Sequence, residues 1–285
     1  MALGLLHSGV GSRLLAEASL NAAVTACGVA GAWQHSLQVL ALACQLRLRS
    51  PITFNAASFA CHEASCWQLS LVLLRDMPLA HATTPDRASF NTAITACGRG
   101  AQWEQALQFL SKLSQERSLD RVSLAAATAA CDMGRQWEAA VALLEESIRK
   151  KMLSGACFTS AMSACARSRG WETALRIFSW MPGHTVRQEA RSFGAVLNAC
   201  LDGDSWPWAL ELLEMMISQK LVPQGCHVGS VTATLEQTKG REVARQFLDG
   251  YRAAWALEDL PGRDEDGDLK AAVAAVSQCF GLASI

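Results

Sequence analysis

The sequence is poor in residues that break helices or build strands. Only seven of its 285 residues are proline and one is tyrosine, and runs of β-branched residues are short. The background is rich in alanine, leucine and glutamate, which favour helix. With 51% hydrophobic and 18% charged residues, the chain has the composition of a folded protein. We therefore expect an all-α fold with a large core.

Long apolar runs and an excess of positive charge are both missing. Arg, Asp, Gln or Glu interrupts every apolar segment before it reaches the roughly 20 residues that span a bilayer, so we expect no membrane partner. The formal net charge is −1, whereas nucleic-acid-binding proteins usually carry surplus Lys and Arg to neutralise phosphates. The overall charge alone therefore does not indicate a nucleic-acid partner.

Recognisable metal and catalytic motifs are missing as well. Eleven cysteines are present, but Cys-x-x-Cys does not occur, and His62-Glu63 therefore lacks the cysteine pair of a zinc deaminase. Asp264, Asp266 and Asp268 are not followed in register by the glycine and glutamate of a calcium loop. We expect no metal, no cofactor and no catalytic residues, so the sequence does not predict an enzyme.

An Ala-Cys pair recurs six times at nearly constant spacing. Successive cysteines of these pairs are 34, 36, 34, 34 and 35 residues apart, and a tryptophan follows each one six residues later. Six coincident matches at one period indicate an internal repeat. The cysteines, which we call the anchor cysteines, are Cys27, Cys61, Cys97, Cys131, Cys165 and Cys200; the tryptophans are Trp33, Trp67, Trp103, Trp137, Trp171 and Trp206.

Each repeat has the pattern of two amphipathic helices. Apolar residues recur at i, i+3, i+4 and i+7 from Phe90 and again from Trp103, which predicts one apolar stripe per helix. Gly98 and Gly100 are expected to supply the break between the helices. Because a lone hairpin cannot cover both stripes, neighbours must stack. The prediction is an α-solenoid, a superhelix of helix-turn-helix repeats in which the cysteines and tryptophans form the core.

The repeat pattern also predicts the domain organisation. Residues 1–16 are expected to hold a partial repeat with a second helix only, and residues 17–224 six full repeats. Residues 225–258 form a degenerate seventh repeat, in which Leu235 replaces the cysteine. Residues 259–285 are predicted to be an acidic loop and a C-terminal helix.

The unit "SFNTAITACGRGAQWEQALQFLSKL", followed by "SLDRVSLAAATAAC", resembles the pentatricopeptide repeat. In that family an aromatic-Asn-Thr segment opens the first helix, Ala-Leu lies midway along the second, and an aspartate or asparagine often ends the unit. The tetratricopeptide alternative requires Trp-x-x-Leu-Gly-x-x-Tyr in the first helix, which is not in register here. The resemblance extends from Ala2 to about Tyr251.

The resemblance implies that each repeat addresses one base of a single-stranded RNA through two residues. One stands six places before the anchor cysteine and the other ends the repeat, and the pairs imply a pyrimidine-preferring stretch such as C-U-U. The implied base-contacting pairs are Asn21 with Ser50, Asn55 with Asp86, and Asn91 with Asp120. Weaker candidates are Ala125 with Ser154, Thr159 with Glu189, and Gly194 with Gln224. Candidate phosphate contacts are Arg99 and Arg167.

The resemblance further implies a monomeric protein of RNA processing, stability or translation in a plastid or mitochondrion, although no transit peptide is visible. Two alternatives stay open. The chain could be a protein-protein interaction scaffold that uses its concave surface, which the near-neutral charge and the unfamiliar pairs of the second half favour. Asn21, Asn55 and Asn91 could also be ordinary polar or capping residues at a helix edge.

Overall fold

The computed structural model describes residues 9–48, 50–81, 83–203, 205–219, 221, 223 and 225–256. Within these residues the chain forms fourteen α-helices and no strand. The helices are α1 Gly9–Val29, α2 Trp33–Gln45, α3 Pro51–Glu63, α4 Trp67–His81, α5 Arg87–Arg99, α6 Trp103–Gln115, α7 Arg121–Met133, α8 Trp137–Arg149, α9 Gly155–Arg167, α10 Trp171–Gly183, α11 Ala190–Asp202, α12 Trp206–Ser218, α13 Gly225–Lys239 and α14 Arg241–Ala256. Gln224 and the tail predicted at 259–285 lie outside the described residues.

The main-chain carbonyl of each anchor cysteine closes a hairpin turn. In all six turns the N–H five residues later donates to this carbonyl at 2.8 to 2.9 Å. In the first five turns the residue before the donor has a positive φ, as in Gly31 at 70° and Ala101 at 53°. This is the Schellman arrangement that ends a helix and reverses the chain.

Gly98 and Gly100 have a different role from the predicted one. The left-handed residue of their turn is Ala101, and Gly98 lies inside α5. A Cβ on Gly98 would lie 3.3 Å from the Cα of Ala130, and one on Gly100 would lie 2.6 Å from the Trp67 ring. A side chain at Gly100 would overlap the Trp67 ring and one at Gly98 would be tight against Ala130, while the turn itself accepts alanine.

The chain divides into two compact units, Met1–Cys157 and Phe158–Ile285. In the first, α1 with α2, α3 with α4, α5 with α6, and α7 with α8 form hairpins, and each first helix packs on the first helix of the next hairpin. In the second, α11 contacts α10, α12 and α13, and α13 pairs with α14. The predicted all-α solenoid of stacked hairpins is confirmed.

The anchor cysteines belong to the core, as predicted. All but Cys27 are buried, and burial raises the pKa of the Cys97 thiol to about 12, so these thiols are poor nucleophiles. The repeat tryptophans are less buried than predicted: most lie half-buried between repeats, and Trp137 is 36% exposed. Among the described helices, none is long and apolar enough to cross a membrane.

Candidate nucleic-acid interface

Three asparagines occupy the same place on successive first helices of the first unit. Asn21 on α1, Asn55 on α3 and Asn91 on α5 each stand six residues before an anchor cysteine, and each side chain is half-buried. Because α1, α3 and α5 stack in order, the three amides follow one face of the unit. We call Asn21, Asn55 and Asn91 the amide column.

The residues predicted to end these repeats are the N-caps of the following helices. Ser50, Asp86 and Asp120 directly precede α3, α5 and α7 and have extended backbones. One carboxylate oxygen of Asp86 accepts the N–H of Ser89 at 2.8 Å, and Asp120 accepts the N–H of Ser123 at the same distance. Each side chain thereby satisfies a main-chain donor that the helix start leaves unpaired.

The structure brings the two predicted Asn-Asp pairs together. Asn55 Nδ2 donates to Asp86 Oδ1 at 3.1 Å, and the Asn91 amide lies close enough to Asp120 to help lower the pKa of its carboxyl. Both carboxylates are at the protein surface or only partly buried. Each pair therefore places amide donors and acceptors beside a carboxylate where a ligand can reach them.

The first predicted pair has a different local partner. The Asn21 oxygen accepts a short hydrogen bond from the Thr53 hydroxyl, and Thr53 lies three residues beyond Ser50. Ser50 itself accepts the N–H of Ile52 at 3.3 Å. The amide of this repeat is thus held by the helix that Ser50 caps.

A buried hydroxyl occupies the third residue of α5 and of α7, as Thr53 does in α3. Ser89 Oγ donates to Asp86 Oδ1 at 2.8 Å. Ser123 Oγ lies 2.7 Å from Asp120 Oδ1 and 2.7 Å from Asn91 Oδ1. Sequence reasoning did not select these hydroxyls, yet they connect the N-caps to the amide column.

The two capping carboxylates are held in their ionised form. Partial burial alone would raise the pKa of Asp120, but hydrogen bonds from Ser123, the charge of Arg87 and the amide of Asn91 outweigh it and lower the pKa. At Asp86 partial burial likewise opposes the shift, and the hydrogen bonds from Ser89 and the Asn55 amide lower the pKa. At neutral pH both residues are therefore acceptors only.

Exposed aliphatic side chains lie beside this face. Ile52 is 62% exposed and stands three residues before Asn55, while Val122 is 61% exposed and stands three residues before Ala125. Residues three apart are neighbours on a helix surface. An apolar contact surface is therefore available next to the amide column.

The fourth pair of the first unit has no amide. Ala125 offers only a methyl group, and Ser154 accepts the N–H of Ala156 at 3.3 Å. Cys157 stands where the other helices have the buried hydroxyl, and it is itself fully buried. This repeat keeps the packing of the unit but has no polar group to present at the column position.

In the second unit, the column position is occupied by Thr159 on α9 and Gly194 on α11. Ser192 accepts the N–H of Glu189 at 2.9 Å and donates to its carbonyl at 2.7 Å, so the hydroxyl at the third helical residue is kept. Here, however, both bonds go to the backbone of Glu189.

Gly194 faces the imidazole of His227, the third residue of α13. A Cβ on Gly194 would lie 2.8 Å from both Cε1 and Nε2 of His227. His227 is 7% exposed, and burial lowers its pKa, so it is neutral at pH 7. The imidazole fills the space that an amide side chain would need.

Neither a protein-family model nor a curated protein matches the sequence, but solved structures match its backbone. The pentatricopeptide repeat protein PPR10, in complex with an 18-nt psaJ RNA element, matches with a TM-score of 0.63 and 17% identity over 99% of this chain. PPR10 from maize in a second crystal structure matches with a TM-score of 0.54 and 14% identity over 97% of this chain. The chain has the pentatricopeptide repeat fold. It spans only 42% and 46% of the two matched chains.

The candidate phosphate contacts of this pentatricopeptide fold differ in their surroundings. Arg99 lies on α5 and pairs with Glu63 of α3 at 3.0 Å, so its charge is balanced within the first unit. Arg167 is exposed on α9 in the second unit. Arg87, which the sequence did not single out, pairs with Asp120 at 3.2 Å and keeps 59% of its side chain exposed.

A metal centre does not emerge from the described part of the repeat array. There, no group of three His, Cys, Asp or Glu side chains comes close enough to hold an ion. The first helices of the first unit present amides, carboxylates and exposed aliphatic groups. These are suited to hydrogen bonding and apolar contact.

Proposed function

We propose that the first unit binds single-stranded RNA through the amide column, with one base for each repeat. The observation that carries the proposal is the hydrogen-bonded pair of Asn55 and Asp86 at an accessible edge, and the Asn91 amide is close to the Asp120 carboxylate in the next repeat. An amide beside an ionised carboxylate offers both a donor and acceptors to the exposed edge of an unstacked base. The fold is shared with PPR10, whose structure contains an RNA element.

The aliphatic neighbours support the same proposal. Recognition of single-stranded RNA needs contact with the face of a base as well as with its edge. Ile52 and Val122 offer large exposed apolar groups one helical turn from the column positions. A base bound to the edge of Asn55 would therefore cover the side chain of Ile52.

The pairs favour pyrimidines by resemblance to the repeat family. The first three full repeats are expected to read cytosine, uracil and uracil, taken from the amino end. The fourth to sixth repeats present Ala125, Thr159 and Gly194 and should add little discrimination. The chain is thus proposed to be a monomeric RNA-binding module without catalytic residues, acting in RNA processing, stability or translation in an organelle.

Affinity measurements with short RNAs test this function. A single strand that contains C-U-U should bind more tightly than a purine-only strand of equal length. Asn55→Ala and Asn91→Ala should each weaken binding about tenfold, since about 1.4 kcal/mol is at the upper end of the net value of one hydrogen bond. Thr159→Ala is the matched control at the same helical position and should change the affinity by less than about twofold.

The salt dependence adds a second readout. Arg87 and Arg99 on α5 already pair with carboxylates, so neither can neutralise a phosphate without giving up an ion pair. We expect the slope of log affinity against log salt to be shallow, about −1, which corresponds to one or two phosphate contacts on a single strand. Failure to bind either strand at low salt would overturn the proposal.

A protein-binding scaffold is the second candidate, and one observation favours it. The position two residues beyond the anchor cysteine carries Val29, Glu63, Arg99 and Met133 in successive repeats. Val29 is 80% and Met133 46% exposed, and the two charges between them pair with each other. Such a mixture of apolar and paired charged groups is typical of protein interfaces. Met133→Glu should abolish binding of a protein partner and leave RNA affinity unchanged.

A further inference from the structure

We propose that Ser123 is a positioning residue that fixes which atoms of Asn91 face a base, and that Asn55 lacks this restraint. The inference rests on the proposed RNA-binding function and refines it. Asn55 with Asp86 and Asn91 with Asp120 are chemically the same pair. They differ in how many groups hold the amide.

The Asn91 amide is held from both ends. Asp120 is ionised and can only accept, so the nitrogen end of the amide must face it. Ser123 Oγ lies 2.7 Å from both Asn91 Oδ1 and Asp120 Oδ1, so its single proton is shared between the two oxygens in a three-centre hydrogen bond. With the nitrogen end facing a carboxylate and the oxygen end bonded to a hydroxyl, the amide has a single orientation.

The Asn55 amide is held from one end. Within the part of the chain that the structure describes, its single side-chain hydrogen bond is to Asp86, at 3.1 Å. The equivalent hydroxyl, Ser89 Oγ, donates to Asp86 and not to Asn55. The oxygen end of this amide is therefore unrestrained.

The carboxylates beside the two asparagines are also held differently. Arg87, the first residue of α5, pairs with Asp120 Oδ2 at 3.2 Å, which leaves Oδ1 for the hydroxyl of Ser123. The residue in this place on α3 is Pro51, which has no charge to offer Asp86. The carboxylate beside Asn91 is thus oriented by a cation as well as by the helix start.

The same hydroxyl restraint recurs in the first repeat. Thr53, the third residue of α3, bonds the oxygen of Asn21 across the same sequence separation as Ser123 and Asn91. Because Ser50 is the N-cap there, no carboxylate competes for the Thr53 proton. Two of the three column amides are therefore oriented by a hydroxyl of the following repeat.

Base selectivity should be greater where the asparagine amide is held in one orientation. An amide with one orientation can match only one arrangement of donor and acceptor on a base edge, whereas a rotating amide can match several. We expect the repeat of Asn91 to distinguish uracil from cytosine more strongly than the repeat of Asn55, although the two pairs are identical in sequence.

Side-chain amide exchange measures the restraint without RNA. In 15N-labelled protein, the side-chain NH2 signals of Asn91 should exchange with solvent more slowly than those of Asn55. Ser123→Ala should speed the exchange of Asn91 several-fold, and Ser123→Thr should restore it. Ser89→Ala is the matched control, because it removes a capping hydroxyl at the same helical position and should leave the exchange of Asn55 within about twofold.

RNA affinity measurements test the effect of this restraint on base preference. Strands that differ only at the base facing the repeat of Asn91 should show a uracil preference that falls roughly three- to tenfold in Ser123→Ala. Ser123→Thr should retain it. Ser89→Ala and Ser123→Ala should lower the melting temperature by similar amounts, since both weaken a helix start.

The outcomes separate the two proposals. If Ser123→Ala changes only the melting temperature, with amide exchange and base preference unmoved, the positioning role of Ser123 is overturned. If the wild-type chain binds no RNA, the proposed function and the base selectivity fail together. The amide exchange then still decides whether Ser123 orients Asn91.

Discussion

The first unit carries Asn21, Asn55 and Asn91 at three column positions and Ala125 at the fourth, whereas the second unit carries Thr159 and Gly194. Beside each of the three amides, the third residue of the next helix is a threonine or serine that reaches the amide or its partner carboxylate. In the second, the residue facing Gly194 is His227, whose ring occupies the space of a side chain. All three amides therefore stand beside a hydroxyl, whereas Gly194 stands beside an imidazole.

This difference shows that hairpin packing does not depend on the residue at the column position. The anchor cysteines Cys97 and Cys200 are fully buried in the first and second unit alike, and the same carbonyl bond closes their turns. The column position varies freely because it lies at the edge of the core. The fold alone therefore does not indicate which repeats present an amide, whereas the contact of the column residue with the next helix does.

The largest expected effect comes from giving the second unit an amide. Gly194→Asn should lower the free energy of unfolding by about 1–3 kcal/mol, because the new side chain would overlap the His227 ring. Adding His227→Ser, which copies the arrangement at Ser123, should recover most of this loss. Denaturant unfolding of both single variants and the double variant measures the coupling between the two positions.

His227→Ser alone is the control for that cycle. It removes a large buried ring and should be destabilising, so the loss in the double variant should be smaller than the sum of the two single losses. Purely additive losses would show that the imidazole does not occupy the column position. The stated difference between the column positions of the two units would then be wrong.

The next effect concerns the N-caps of the first unit. Asp120→Ala should lower the free energy of unfolding by about 1 kcal/mol, the usual value of an N-cap, and Asp86→Ala should cost about the same. Asp120→Asn keeps a capping oxygen and should cost less, while weakening the hold on Asn91. Thermal or denaturant unfolding checks all three, and an equal loss for Asp120→Asn and Asp120→Ala would contradict the capping role.

The smallest effect is a difference in acid sensitivity. The pKa of His227 is below its usual 6.5 because burial disfavours the charged ring, so the unfolded chain takes up the proton first as the pH falls. The stability of the second unit should therefore decrease as the pH falls below 6.5, and His227→Gln should reduce the decrease. Asp86 and Asp120 have lowered pKa values, so their stabilising contribution is present above pH 3.8 and is lost below it.

Hydrogen exchange of helical peptides separates the contributions of the two units. His62 in the first unit also has a lowered pKa, mainly because of burial and also because of the charge of Arg99, so a global measurement would mix the two histidines. Peptides from α11 and α13 should lose protection between about pH 7 and 5 in the wild-type chain. No change in these peptides on His227→Gln would remove His227 as the cause.

Periodicity was enough to predict the helices and their stacking. An anchor cysteine and a tryptophan at a fixed spacing mark the apolar stripes of two helices. Because both stripes must be buried, the hairpins have to stack on one another. The Asn-Asp contacts could be expected only from resemblance to a known repeat. Composition and spacing do not say that Asn55 and Asp86, 31 residues apart, meet across a helix start.

The remaining features depended on contacts that a single sequence does not display. Ser123 and Thr53 lie three residues after an N-cap, which is a capping pattern, but their bonds to the preceding repeat appear only in three dimensions. The sequence predicts a helix break at Gly98 because glycine often ends a helix, whereas in the structure Gly98 lies inside α5 against Ala130. The sequence gives His227 no recognisable spacing, and its contact with Gly194 exists only in three dimensions.

The turn bond at each anchor cysteine has a practical consequence for engineering. The bond uses the carbonyl oxygen and requires nothing from sulfur, so a cysteine-to-alanine change at every anchor should preserve the hairpins at a cost of about 1 kcal/mol each or less. Once the five other cysteines are replaced as well, the chain could receive one surface thiol at Ile52. A fluorescent label there would sit beside Asn55 and report directly on whatever occupies that edge.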